Sequence, residues 1–365
     1  MYTILHVIES LEFGGAEKVV VHLANKLCNQ HNVLICMTKR KGELISQLDP
    51  NIKVVCLDGK EGNDFSIPFK LSKILKKYKV DIVHTHDWGV YLEAVIASVL
   101  YRKNRIIHTV HGRYMSYENT KSAKIKKYFR HVLEKLFSYR VYKIVAVSKS
   151  IQSYIATDLH INDVKLQTIH NGIEGHSVLK YNGPSIAVTK LITVGRLAAV
   201  KNHKVMIDAV KLALESKANV TLTIVGDGPE YDDLVNYTQS LNLSDYIFFK
   251  GFRTDIDDLL SKHHIFILSS DYEGISIALL EAMSKAMPAI STNVGGIPDT
   301  IISQHSGILV EKGDSLEMSK AITRLAGDFS EIKSMGNNAY HYFIENFHEK
   351  VVLEKYNTLY QECMN

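Results

Sequence analysis

Cysteine is scarce. The four in 365 residues are Cys28, Cys36, Cys56 and Cys363. None forms a CxxC pair or shares a metal-ligand spacing with histidine, which argues against a disulfide or zinc framework. Proline numbers only six, and there is no low-complexity tract or solenoid-period repeat, so disordered, fibrous and repeat architectures are excluded. No apolar run approaches the roughly 20 residues of a membrane-spanning helix. The N-terminus, MYTILHVIESLEFGG, reads as a strand instead of a basic-then-apolar signal, and the expectation is a cytoplasmic protein. No dinucleotide fingerprint is complete: Gly226-Asp227-Gly228 lacks a third glycine at the right spacing and Gly14-Gly15 does not supply it, against a nicotinamide oxidoreductase. Neither a carboxylate pair suited to a retaining glycosidase nor a nucleic-acid recognition module is found.

What is present describes a folded chain with a sizeable core: 46% of residues are hydrophobic and 22% charged. The length exceeds what one core usually serves, so two domains are expected. Charge divides unevenly. Residues 1–180 hold 27 Lys and Arg against 16 Asp and Glu, and residues 181–365 hold 16 against 23. The basic half is therefore the one expected to meet an anionic surface or acceptor.

Val- and Ile-rich runs alternate with helical segments, the pattern of βαβ units on parallel sheets. The first half offers Thr3–Ile8, Val33–Met37, Lys53–Leu57, Ile82–His84, Ile106–Val110, Ile144–Val147 and Thr168–Ile169; the second offers Lys190–Val194, Thr221–Val225, Ile247–Phe249, Ile265–Leu268 and Ala289–Ser291. The turn cluster Asn182-Gly183-Pro184 separates them. Residues 1–182 and 183–345 are thus expected to be two Rossmann-like α/β domains, with ligands at the carboxyl ends of the strands. Residues 346–365 are expected to form a C-terminal helix whose apolar stripe, Val351, Val352, Leu353, Tyr356, Leu359 and Tyr360, crosses back to the first domain.

The strongest motif follows the run Ile265–Leu268: Ser270-Asp271-Tyr272-Glu273-Gly274-Ile275-Ser276, then a helix carrying Glu281. A glycine turn from strand to helix presents unpaired amides and a positive dipole end, which suits phosphate. Glu273 before the helix and Glu281 inside it suit two depths of one site, one carboxylate for sugar hydroxyls and one for a ribose diol. The plainer reading makes Glu281 a solvated helix residue and Glu273 a first-turn charge. Earlier, Gly195-Arg196 and Lys201-Asn202 put two cations after the second domain's first strand, where fixed positive charge stabilises a departing diphosphate. Gly14-Gly15 precede a helix near Ala16 and permit close backbone approach to an anion. His111 ends one strand. His84 and His86 end another, and are expected on the acceptor side.

Glu273 and Glu281 with seven residues between them, and the Gly-Arg and Lys-Asn element upstream, resemble the E-x7-E signature of the retaining glycosyltransferases of family 4, which have the GT-B fold. The resemblance spans nearly the whole chain. It implies two parallel sheets facing across an interdomain cleft that holds a nucleoside-diphosphate sugar, UDP- or GDP-linked, as substrate, with no cofactor and no metal. It makes His111, Arg196, Lys201 and Glu273 the catalytic set, and Gly14, Gly15, Gly226, Phe252, Arg253, Gly274, Ile275, Ser276 and Glu281 the donor-binding set. Ile275 and Ser276 would offer amides to the distal phosphate, Glu281 would take the ribose, and Gly226 with Phe252 and Arg253 would border the base. Asn171 in His170-Asn171-Gly172-Ile173 reads as an interdomain turn, and Asn293–Asp299 resembles the family's closing strand-turn. The acceptor is expected to be a glycan or lipid-linked molecule of cell-surface polysaccharide or glycolipid synthesis. A non-catalytic nucleotide-sugar binding protein or an epimerase of the same fold remains an alternative. The segment Lys121–Lys143 holds eight basic residues and one acid, Glu134, among apolar ones. It reads either as an amphipathic helix for the inner face of an anionic membrane or as a packed helix with a solvated charged face.

Overall fold

The computed structural model of the chain describes residues 1–12, 14–60, 62, 64–112, 120–175 and 187–365. It forms two compact units, Met1–Gly172 with Lys350–Asn365, and Ile173–Glu349. The boundary expected at 182/183 lies outside the described residues, as does Phe13 of the N-terminal glycine motif.

The first unit is a seven-stranded parallel sheet: β1 (Thr3–Ile8), β2 (Asn32–Met37), β3 (Lys53–Cys56), β4 (Ile82–His86), β5 (Arg105–Val110), β6 (Lys143–Ala146) and β7 (Leu166–Thr168), in the order β3-β2-β1-β4-β5-β6-β7. Helices cover both faces, so the central strands are buried along most of their length, β2 and β4 almost entirely, while the edge strand β3 is not. The helices are α1 (Gly15–Leu27), α2 (Ile67–Tyr78), α3 (Tyr91–Tyr101), α4 (Lys121–Ser138) and α5 (Lys149–Thr157). Their ends follow local chemistry: Lys79 and Arg102 stop α2 and α3 in left-handed conformations, and the Ser148 hydroxyl accepts from the Ile151 amide at 3.2 Å to start α5. The basic helix is shorter than the segment Lys121–Lys143 suggested. A turn in which the Val141 amide donates to the Ser138 carbonyl closes α4, and Lys143 opens β6, with its ammonium on the Val164 carbonyl.

The second unit repeats the plan with β8 (Thr189–Val194), β9 (Val220–Val225), β10 (Ile247–Phe249), β11 (Ile265–Leu268), β12 (Ala289–Thr292) and β13 (Gly307–Val310), in the order β10-β9-β8-β11-β12-β13. Its helices are α6 (His203–Glu215), α7 (Tyr231–Ser240), α8 (Ile256–Ser261), α9 (Ile277–Ser284), α10 (Ile297–Thr300), α11 (Ser315–Leu325) and α12 (Phe329–Asn346). The last strand, β13, is an addition to the sequence expectation: four residues opening on a glycine give too short an apolar run to stand out. Asp314 and Asp328 cap α11 and α12 by accepting from the amides of Glu317 and Glu331 at 2.8 and 2.9 Å.

The chain ends in α13 (Glu349–Met364), which belongs to the first unit. Val352, Tyr356, Leu359, Tyr360 and Cys363 join a core that includes Ile4, Ile8, Val20, Ile82 and Ile107. Burying a large apolar side chain is worth about 1.5–3 kcal/mol; this stripe therefore fixes the helix over the β1–β4 part of the sheet, and a charge at Tyr360 would release it. In both sheets the strand order reverses direction, between β1 and β4 and between β8 and β11. Loops leaving the carboxyl ends of such neighbours diverge and leave a crevice, where ligands of open α/β sheets sit.

Candidate active site

In the second unit the crevice between β8 and β11 collects the motif residues. The loop after β8 is short enough that its backbone is pinned directly: the Asp271 amide donates to the Val200 carbonyl at 2.7 Å, and the Asn202 amide side chain donates to Asp271 Oδ1 at 3.0 Å. Asn202 sits in the left-handed region, a conformation asparagine tolerates, and this turns Lys201 back towards β11. There the Lys201 ammonium pairs with Glu273 Oε1, which also accepts from the Ser270 hydroxyl at 2.8 Å. Glu273 is 8% exposed, so its charge is compensated by this pair and not by water. Arg196, by contrast, is exposed and makes no ion pair among the described residues.

Two glycines hold this cluster by close approach. Gly295, at φ +55, lies so near the Glu273 carbonyl that a Cβ would meet it at 1.9 Å, and the Gly296 amide donates to the same carbonyl at 3.0 Å. The Asn293–Asp299 segment therefore clamps Glu273. Gly226, at φ +139, is pressed against Gly195, whose carbonyl a Cβ would meet at 1.8 Å. Its glycine requirement comes from packing of the β8 and β9 loops. Beyond the cluster, Ser276 caps α9 by accepting from the Leu279 amide at 3.3 Å. Among the described residues the amides of Ile275 and Ser276 have no acceptor. Two amides without an acceptor at a helix start are the chemistry that suits a phosphate, and Lys201 on the neighbouring loop adds a cation. Glu281 lies inside α9 and is half-buried. Arg253 is bound bidentately by Asp255 at 2.8 and 2.7 Å, and Phe252 is 57% exposed.

In the first unit, Gly14 is the extended N-cap of α1 and Gly15 its first residue. The Glu17 carboxylate folds back over Gly14, where burial raises its pKa. His111 follows β5. Its amide donates to Asp87 Oδ1 at 2.8 Å and its Nε2 lies 3.1 Å from His86 Nδ1. Burial lowers the pKa of His111, so it is a neutral hydrogen-bonding group at pH 7. Nothing in the local sequence marks Asp87, yet this residue, with φ +58 just past β4, fixes the His111 backbone; a positive φ outside glycine would have been the only clue.

The expectation of an acceptor-side role for His84 and His86 does not hold. His84 is fully buried, with Nδ1 2.8 Å from the Tyr360 hydroxyl and Nε2 2.7 Å from Thr109 Oγ1. His86 is 2% exposed and bonded to His6 on one nitrogen and His111 on the other. The cause is α13, which covers this face of the sheet. His6, His84 and His86 bring ring nitrogens within 4.8 Å of one another, close enough for a cation, but most of those nitrogens are already spent on these hydrogen bonds. Asn171 is buried one residue before the unit boundary.

The family model for "Glycosyltransferase Family 4" matches residues 13–175 and that for "Glycosyl transferases group 1" matches residues 187–342. An Escherichia coli UDP-Gal:alpha-D-GlcNAc-diphosphoundecaprenol alpha-1,3-galactosyltransferase is 27% identical, covering 95% of this chain and 93% of that one. A Campylobacter jejuni alpha-1,4-N-acetyl-D-galactosaminyltransferase acting on an undecaprenol-linked acceptor is 26% identical, covering 93% of both. A glycosyltransferase structure from Rickettsia africae superposes with a TM-score of 0.82 at 23% identity, over 100% of this chain and 99% of that one. Anabaena HepE in complex with UDP and glucose gives 0.81 at 18%, over 99% and 100%. The fold is GT-B. The chain belongs to glycosyltransferase family 4 and is a glycosyltransferase.

Proposed function

We propose that the enzyme transfers a hexose or N-acetylhexosamine from a UDP-sugar, with retention of configuration, to a lipid-linked or polysaccharide acceptor of cell-surface glycan synthesis. The observation that carries this reading is the crevice where Lys201, Ser270 and Glu273 meet the free amides of Ile275 and Ser276. The Escherichia coli relative is named for UDP-Gal, and both it and the Campylobacter jejuni relative are named for undecaprenol-diphosphate-linked acceptors, which favours a uridine donor and a lipid-linked acceptor.

In the proposed reaction the diphosphate lies against Arg196, Lys201 and the α9 amides, Glu281 takes the ribose, Glu273 grips sugar hydroxyls, and Gly226, Phe252 and Arg253 border the base mostly through backbone groups. The family resemblance assigns Gly14, Gly15 and His111 to the donor as well. The bond from the anomeric carbon to the diphosphate oxygen breaks. The acceptor hydroxyl attacks from that same face, and its proton passes to the departing phosphate oxygen. Positive charge fixed in advance at that oxygen lowers the barrier because it acts most strongly on the charge that develops. No metal is invoked.

The first unit contributes a membrane contact in this proposal. Along α4, Ile125, Tyr128, Phe129, Val132 and Leu136 are exposed at helical spacing, flanked by exposed Lys124, Lys126, Lys127 and Lys135. That combination matches an interfacial helix on anionic lipid better than a packed one. Among the described residues no helix is long and apolar enough to cross a membrane.

A thermal-shift panel of uridine, guanosine and adenosine diphosphates tests the donor. UDP at about 100 times its Kd should stabilise the fold by about 2.7 kcal/mol. A larger shift with GDP or ADP overturns the uridine assignment.

A further inference from the structure

Lys201 sits on a loop that is rooted at both ends and open in the middle. Leu197 is 0% and His203 2% exposed, while none of the five residues between them, 198–202, is buried. Two turn bonds act within the loop, from the Lys201 amide to the Ala198 carbonyl at 2.8 Å and from the Asn202 amide to the Ala199 carbonyl at 3.1 Å. Its place against β11 is set from outside, by Ser269 and Asp271 just past that strand. The Ser269 hydroxyl donates to the Lys201 carbonyl at 3.1 Å, the Asp271 amide donates to the Val200 carbonyl at 2.7 Å, and Asp271 Oδ1 accepts from Asn202 Nδ2 at 3.0 Å. The residue before Lys201, Lys201 itself and the residue after it are thus each tied to the segment that runs on to Glu273.

The bond between Asn202 and Asp271 joins two side chains, and it supports the loop where its backbone is least at ease. Asn202 stands at φ +47, where a residue other than glycine needs local support. The same Oδ1 lies 3.6 Å from Lys312 Nζ in the loop after β13, so the carboxylate is steadied from a third loop. A lysine carries its charge on a flexible four-carbon stem, and the place of the ammonium follows the place of the loop. We infer that Asp271 is a positioning residue: by holding Asn202 it keeps the Lys201 ammonium at Glu273, two residues before the Ile275 amide, where the departing diphosphate is proposed to lie. Asp271 acts through Asn202 and not on the ligand. The inference rests on the role proposed for Lys201, and every residue in it belongs to the second unit.

The test is a cycle of Asp271 and Lys201 variants of the full chain, each read by UDP release from UDP-galactose, by calorimetric titration with UDP and by a melt. Asp271→Ala should lower kcat about tenfold, the worth of one hydrogen bond to a charged group, while UDP affinity changes by less than about threefold. Asp271→Asn, whose Oδ1 still accepts from Asn202, should recover most of that rate. In a chain that already carries Lys201→Ala, Asp271→Ala should cost the same in Tm and less than about twofold in kcat. Asn202→Gly keeps the left-handed backbone and drops the bond; it should match Asp271→Ala in rate, and it stands in should Asp271→Ala not fold. Unchanged kcat in Asp271→Ala or in Asn202→Gly overturns the inference, and so does an Asp271→Asn enzyme as slow as Asp271→Ala. An equal fold-loss of kcat with and without Lys201 overturns it as well, since a merely structural role predicts that result. Full turnover in Lys201→Ala overturns the role of Lys201 and the inference together. A slow Lys201→Ala beside any of the other contrary results overturns the inference alone.

Discussion

Replacing Lys201 by alanine separates what the Lys201–Glu273 pair does for the fold from what it does for the reaction. The substitution leaves a carboxylate that is 8% exposed with the Ser270 hydroxyl at 2.8 Å as its remaining partner. Removing one member of a buried pair costs about 3–5 kcal/mol when nothing compensates. Here Ser270 still donates and the lysine side chain is itself 25% exposed, so about 1–3 kcal/mol is expected, a fall in Tm of roughly 3–9 °C for a domain of this size. For the reaction, a unit charge about 4 Å from the leaving oxygen is worth about 4 kcal/mol at the effective dielectric of a protein surface. Only the part that grows as the bond breaks accelerates the step, so kcat should fall about 10²- to 10³-fold and UDP affinity less than about tenfold. UDP release from UDP-galactose and a melt of the same protein read both quantities. Adding Glu273→Gln removes the stranded charge, so the double variant should regain at least half of the lost Tm and none of the lost rate. A Lys201→Ala enzyme with kcat within about threefold of wild type, or a double variant that regains rate along with Tm, would refute the reasoning.

Gly295→Ala places a Cβ 1.9 Å from the Glu273 carbonyl at φ +55; the clash and the left-handed backbone together should cost about 3 kcal/mol, and a melt displaced by less than about 2 °C would show that the clamp yields easily. Burial lowers His6 and His108 from 6.5 to about 3 in the folded chain. The unfolded state therefore binds protons that the folded state refuses as pH falls below 6.5, and stability drops through that window. At about 1.4 kcal/mol per group and pH unit, these two cost on the order of 5 kcal/mol between about pH 6.5 and 4.5, with His84 and His86 adding the same sign; a Tm flat from about pH 7 to 5 would contradict the buried neutral histidines. Sedimentation with anionic vesicles should exceed that with neutral ones and fall after Ile125→Ser/Phe129→Ser, whereas equal, negligible binding to both rejects α4 as a membrane contact.

Strands were legible in proportion to their burial. Runs such as Thr3–Ile8 and Ile265–Leu268 are buried and mostly apolar because helices cover both faces, and each matches its observed strand end to end. Gly307–Val310 passed unnoticed since an edge strand of four residues carries little pattern. The residues of the proposed anion site in the second unit could be read locally, as Lys201, Ser270, Glu273, Ile275 and Ser276 sit on two loops whose turn chemistry is written in consecutive residues. The histidine row could not. His6, His86 and His111 come from β1, β4 and the end of β5, and meet only through strand order and register, His6 beside His84 and His86 beside Thr109. The same tertiary pairing buried His84, because the stripe that covers it, Tyr356 and Tyr360, lies about 270 residues away in the chain.

The most direct test of the proposed anion site is a calorimetric titration of the wild-type chain with UDP, UMP and uridine, repeated on Arg196→Ala/Lys201→Ala. If those cations and the α9 amides hold the distal phosphate, UDP should bind at least about tenfold more tightly than UMP, and the double variant should lose most of that margin. Equal affinity of the wild-type chain for UDP and UMP would contradict the account.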